Sequence, residues 1–147
     1  MSFVNTVDIV GDEALSASII DRSITELSDS IVTTIGMNAF RGCSELTKAD
    51  FAGPVSTVVD WSFYECTALR TFILRSSAVC SLGDASAFTN TPIAKGTGYI
   101  YVPRALVDTY KAATNWSTYA AQFRALEDYT VDGTTTGALD WDKINAA

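Results

Sequence analysis

The chain has 147 residues, enough for one domain, and its 48% hydrophobic and 18% charged content excludes a charge-rich disordered tail. Ten Lys and Arg against 17 Asp and Glu leave a net charge of -7. A phosphate-tracking surface needs the opposite balance, so nucleic acid is not an expected partner. There is no histidine, which removes Ser–His and Cys–His nucleophile pairs and histidine-ligated metals together. Composition therefore leans toward a binding or structural part, and an enzyme is not expected.

Met1 to Asp8 contains no basic segment and no apolar stretch of signal-peptide length. No run approaches the ~20 apolar residues of a membrane span, so membrane insertion is not expected. Residues 1–30 carry six acids and one Arg, 31–126 eight bases and six acids, and 127–147 five acids and one Lys. The middle is nearly balanced and both ends are acidic.

A repeat occupies the middle. Phe40 and Phe63, Cys43 and Cys66, and Leu46 and Leu69 are each 23 residues apart, and Ala49 and Phe51 match Phe72 and Leu74 in the same register. A weaker copy precedes the pair at Val10 to Leu15. Another follows at Leu82 to Phe88 with one extra residue, and there Thr91 takes the cysteine slot. Each unit is expected to hold one short strand, at Leu46-x-x-Ala49-x-Phe51, Leu69-x-x-Phe72-x-Leu74 and Ile100-x-Val102. One unit cannot bury its apolar row alone, so stacked units should share a core and a small parallel sheet.

The pattern I-G-x-x-A-F-x-x-C-x-x-L resembles the BspA-like leucine-rich repeats of bacteria, their phages and some protists. The resemblance is specific over residues 31–74 and partial over 9–30 and 82–102. It implies an α/β solenoid: a short leucine-rich-repeat stack with a small parallel sheet and a helical C-terminal cap, to which the polar, Thr-rich composition of 127–147 adds an extended C-terminal arm. It also implies a non-catalytic protein, often adhesive or cell-surface. Ile100 to Pro103 and Leu106 to Trp116 are similar to the cap that follows such repeats in prophage and phage tail-associated proteins. The expected organisation is an N-terminal capping repeat at 1–30, repeats at 31–102, the cap at 103–126 and an acidic arm at 127–147.

Residues 103–126 are expected to be helical. Pro103 suits a first helical position, Leu106, Tyr110 and Ala113 recur at helical spacing, and Trp116, Tyr119, Ala120 and Phe123 make a second apolar face. In the arm, Asp132-Gly133 is a turn signal for a small hairpin. Tyr129, Trp141 and Ile144 are candidate docking residues there. Packing on the chain's own body, docking on a neighbouring subunit and disorder remain open for them.

No cofactor or metal is expected. Cys43 and Cys66 lack a fourth ligand at zinc-like spacing, Lys95-Gly96-Thr97-Gly98 lacks a phosphate-loop context, and Asp140-x-Asp142 lacks the EF-hand spacing. The three cysteines, Cys80 included, are expected as reduced structural thiols. Outward strand positions form the candidate contact face. One ladder is Lys48, Thr71 and Tyr99, and the next is Asp50, Ile73 and Tyr101 with Arg75 beside it. The expected function is a virion protein of the tail-fibre or baseplate kind, made in the bacterial cytoplasm. It would bind a host-surface glycan or protein, or another virion subunit, as a homo-oligomer. The alternative is a bacterial cell-surface adhesion or protein-interaction module.

Overall fold

A computed structural model describes residues 6–9, 24–29 and 32–146. Most of the expected capping repeat at 1–30, including Val10 to Leu15, lies outside the described residues.

Counted over the described residues alone, two parallel sheets share one core. The larger has six strands in chain order: β1 (Thr6–Ile9), β2 (Glu26–Asp29), β4 (Lys48–Phe51), β6 (Thr71–Leu74), β8 (Tyr99–Val102) and β9 (Phe123–Ala125). The smaller has three: β3 (Thr34–Ile35), β5 (Thr57–Val58) and β7 (Ser81–Leu82). Each coil from 32 to 82 thus carries two strands where one was expected. The second strand has only two residues, too short to show a period of two.

Register follows the sequence spacing. Leu27, Ala49, Phe72, Ile100 and Phe123 lie side by side across the larger sheet, and all are buried. Main-chain bonds link coils at their corners as well as along strands. Thr47 N–H donates to Thr25 O (2.8 Å) and Arg70 N–H to Thr47 O (3.1 Å), Phe40 N–H to Ser62 O (2.7 Å) and Phe63 N–H to Ala87 O (2.9 Å). Corner groups that a loop would leave to water are thereby satisfied by the next coil.

Inside these corners the Phe40, Phe63 and Phe88 rings stack. Their centroids are 5.2 and 5.6 Å apart and the planes are within 11° and 4° of parallel. Phe72 meets Phe63 and Phe88 edge-on at 5.1 and 4.9 Å. The cysteine slot sits three residues after each ring, in one repeated turn. Cys43, Cys66 and Thr91 N–H groups donate to the Phe40, Phe63 and Phe88 carbonyls at 3.1–3.2 Å. Cys43, Cys66 and Cys80 are buried and in no disulfide, and the Cys66 thiol donates to Phe40 O (3.0 Å). The extra residue of the last copy is absorbed by a 3-10 turn at Ala85–Phe88, which Asp84 caps by accepting from Ser86 N–H, and a one-turn helix α1 (Pro92–Lys95) follows.

The cap differs from expectation. Residues 103–126 are a 3-10 turn at Arg104–Leu106, a short helix α2 (Val107–Ala112), a 3-10 segment at Trp116–Gln122, and then β9. The free edge of β8 offers main-chain partners that outweigh helical spacing at Phe123. Polar tips of the cap reach the other sheet. Tyr110 Oη accepts from Cys80 N–H (2.8 Å), Trp116 Nε1 donates to Cys80 O (2.7 Å), and Asn115 Nδ2 donates to Leu82 O (2.8 Å). These three side chains stand in for the strand that a further coil would have placed beside β7.

The C-terminal segment is folded, not extended. A 3-10 turn at Leu126–Tyr129 leads to an antiparallel bridge between Thr130 and Leu139, with Asp132-Gly133 in the intervening turn. Helix α3 (Trp141–Asn145) follows, its start capped by Asp140. Ile144 and Leu126 form a second cluster with Ile73 and Tyr101, flanked by Tyr129 and Leu139. The chain's own tail therefore covers part of the sheet's outer face.

Phe63→Ala removes the middle ring of the stack and is expected to cost about 3–5 kcal/mol in urea unfolding. Ser62 lies in the slot held by Ala39 and Ala87 in adjacent coils, and its buried hydroxyl has no hydrogen-bond partner among the described residues. Ser62→Ala is accordingly expected to gain about 1 kcal/mol, and a loss would show a hidden partner. Burial pushes the Cys80 thiol from 9.0 to about 12 and the Tyr101, Tyr110 and Tyr119 phenols from 10.0 to about 12. Above its ordinary pKa each group ionises in the unfolded chain but stays protonated in the fold. Stability is complete below about pH 9 and declines as pH rises toward about 12, which urea midpoints measured across that window will show.

Candidate binding cleft

Strands β2, β4, β6 and β8 place Glu26, Lys48, Thr71 and Tyr99 in one row on the outer face of the larger sheet. Alternation along each strand sends these side chains away from the core. Helix α3 lies over this row because Ile144 is anchored beside Ile73 and Tyr101. Between helix and row is a cleft of about 280 Å³, which Trp141 and Asn145 line from the helix side. Thr47, Arg70 and Thr97 come from corners that lead into the strands. Gly98 permits that corner. A Cβ there would lie 2.9 Å from Ile93 N and 3.0 Å from Arg70 O, so only glycine fits without displacing backbone.

The charges in the cleft are unequally matched. Lys48 Nζ is 3.4 Å from Glu26 Oε1 and 5.7 Å from the centre of the Trp141 ring. Arg124, on β9, lies 4.4 Å from the centre of the Tyr99 ring and so helps fix that wall. Arg70 is exposed and makes no ion pair among the described residues. Aromatic surface, hydroxyls, one amide and one unpaired guanidinium thus converge on one space. That arrangement suits reversible binding of a small polar ligand. No group of three or more Cys, Asp or Glu among the described residues is placed to hold a metal.

The candidate residues divide between cleft, clamp and cover. Lys48, Thr71, Tyr99, Tyr101, Trp141 and Ile144 all line the cleft, with Tyr101 and Ile144 as its buried floor. Ile73 and Tyr101 do not stand as a free contact face: they are 0% and 1% exposed, because the C-terminal segment lies on them. Asp50 and Arg75 hold that segment down. Arg75 Nε and Nη2 bond the two Asp50 carboxylate oxygens at 2.9 and 3.0 Å, while Nη1 donates to Thr135 O (2.9 Å) and Gly137 O (2.8 Å). The residues expected to dock, Tyr129, Trp141 and Ile144, are thus seated against the body of their own chain. Trp141 remains 41% exposed.

Sequence reading missed Glu26, Thr47, Arg70, Thr97 and Asn145. Thr47 and Arg70 hold equivalent corner positions 23 residues apart, so the repeat register was the available signal. It also missed Trp61, which is 42% exposed, has a left-handed backbone (φ 60°) and neighbours Arg41 on the turn edge.

A family model described as a BspA type leucine rich repeat region, in six copies, matches residues 1–102. No curated protein and no solved structure is significantly similar to the chain.

Arg75→Ala removes the bidentate pair and both carbonyl contacts at a half-buried site, and is expected to cost about 1.5–3 kcal/mol locally. Hydrogen exchange should rise at the main-chain amides of Val131 and Asp140 while Phe72 stays protected. Unchanged exchange at Val131 and Asp140 would show that the segment is held by its apolar contacts alone.

Proposed function

The chain belongs to the BspA-type leucine-rich-repeat family, and from that premise we propose that it is a non-catalytic recognition module that takes its ligand in the cleft beneath helix α3. Family membership suggests a protein-interaction or adhesion role. The observation that carries the more specific reading is the cleft itself, where aromatic and hydrogen-bonding side chains from the sheet and helix α3 meet beside Arg70, which has no acidic partner among the described residues. Carriage on a phage particle, as a tail-fibre or baseplate-associated component in homo-oligomeric form, is read only from the resemblance of Ile100 to Pro103 and Leu106 to Trp116 to the caps of phage tail-associated proteins. The bacterial adhesion module is the second reading, favoured by the family's general habit.

Two measurements separate them. Immunodetection should find the protein in purified phage particles. Its presence instead in cell envelopes from a culture free of particles selects the adhesion reading. Solution mass at micromolar concentration should exceed that of the 15.8 kDa monomer. For either reading, Trp141→Ala is expected to weaken binding of the full chain to its target surface by about tenfold, with the circular dichroism unchanged. Undiminished binding by that variant would remove the cleft from the function.

A further inference from the structure

The recognition reading leaves the ligand's chemistry open, and the lining of the cleft narrows it. Trp141 and the Tyr99 wall provide apolar ring surface, on which the C–H face of a pyranose packs. Thr47, Thr71 and Thr97 place three hydroxyls, and Asn145 an amide, around the same space. The Thr47 and Thr97 hydroxyls donate to the Thr25 and Pro92 carbonyls, so towards the cleft they offer acceptor lone pairs to the hydroxyls of a sugar. The volume of about 280 Å³ lies at the small end of ligand clefts, about 300 Å³ and upward, and suits one or two rings.

Charge refines this further. Lys48 is already matched by Glu26 at 3.4 Å, whereas Arg70 has no acidic partner among the described residues. A guanidinium fork at the rim of a cleft donates two parallel hydrogen bonds to a carboxylate. The cleft lies over β4, β6 and β8, which have strand neighbours on both sides. It therefore offers side chains and no open strand edge, which disfavours an extended peptide that binds through its main chain.

We propose that the cleft binds a carboxylate-bearing pyranose unit, a uronic or nonulosonic acid at the end of a glycan, with Arg70 on the carboxylate and Trp141 and Tyr99 against the ring. This rests on the recognition reading and gives it a ligand class. Carrying Trp61→Phe, the full chain keeps Trp141 as its exposed indole, because Trp116 is 1% exposed. Its fluorescence can then be titrated with glucuronate, N-acetylneuraminate, glucose, acetate, inorganic phosphate and N-acetylaspartate amide.

The two acidic sugars should give saturable changes, with affinity about tenfold above glucose, acetate, phosphate and the peptide acid. Arg70→Gln should bring the acidic sugars down to the level of glucose, and Arg70→Lys should fall between. Equal affinity for glucose overturns the role of the charge. Equal affinity for acetate or phosphate overturns the role of the ring, equal affinity for the peptide acid makes the site a protein contact, and no saturable change removes the site. Binding to the target surface keeps the two readings apart. If Arg70→Gln adheres as well as the parent chain, recognition stands and this ligand falls. If acidic sugars bind in solution while the chain adheres to no surface, the ligand stands and the recognition reading falls.

Discussion

A coil of this chain buries its apolar row only against the coil before it and the coil after it. That constraint shapes everything else. Ala49 and Phe72 are buried because Leu27 and Ile100 flank them, and the Phe40, Phe63 and Phe88 rings exclude water only as a stack. Main-chain groups obey the same rule, since corner carbonyls find donors one coil away. The fold is therefore assembled from nearest-neighbour contacts, and a fault in one coil weakens two interfaces.

The last coil has no successor, and the two sheets solve this in different ways. The larger sheet gains another strand, β9, from a segment that is not a repeat. The smaller sheet gains no strand. Tyr110, Trp116 and Asn115 bond the open main-chain groups of Cys80 and Leu82 with side-chain atoms. The ring stack also ends on Trp116, joined there by Tyr119, at 5.9 and 5.6 Å from Phe88. A single aromatic plug thus closes both the hydrogen-bonding edge and the apolar end.

Much of this was legible in the residues. Spacing of 23 placed Ala49 beside Phe72 and Lys48 beside Thr71, because a repeat of fixed length converts register into position. The smaller sheet was not legible, since two-residue strands carry no alternation. Strand β9 was hidden because its pairing with β8 is a long-range choice that local helical spacing around Phe123 obscures. The folded tail was hidden for another reason. Ile144 looks isolated in a polar stretch, and only the apolar outward positions Ile73 and Tyr101 give it a place. Both stand in the sequence as outward positions of the candidate contact face, and the tail buries them. The cleft divides in the same way: Lys48, Thr71 and Tyr99 are legible as outward strand positions, whereas Glu26 on β2 and the corner residue Arg70 are not.

The plug at Cys80, Leu82 and Phe88 has a consequence for how such proteins change length. Its hydrogen bonds and rings are addressed to features of that final coil, including the 3-10 turn that Asp84 caps. A coil duplicated upstream, between Ile35 and Leu74, would leave the docking surface intact. A coil added after Phe88 would separate plug from socket and require a new end to be invented. Growth of the stack at its C-terminal end is thereby blocked, and an added coil has to enter upstream of the plug and its socket.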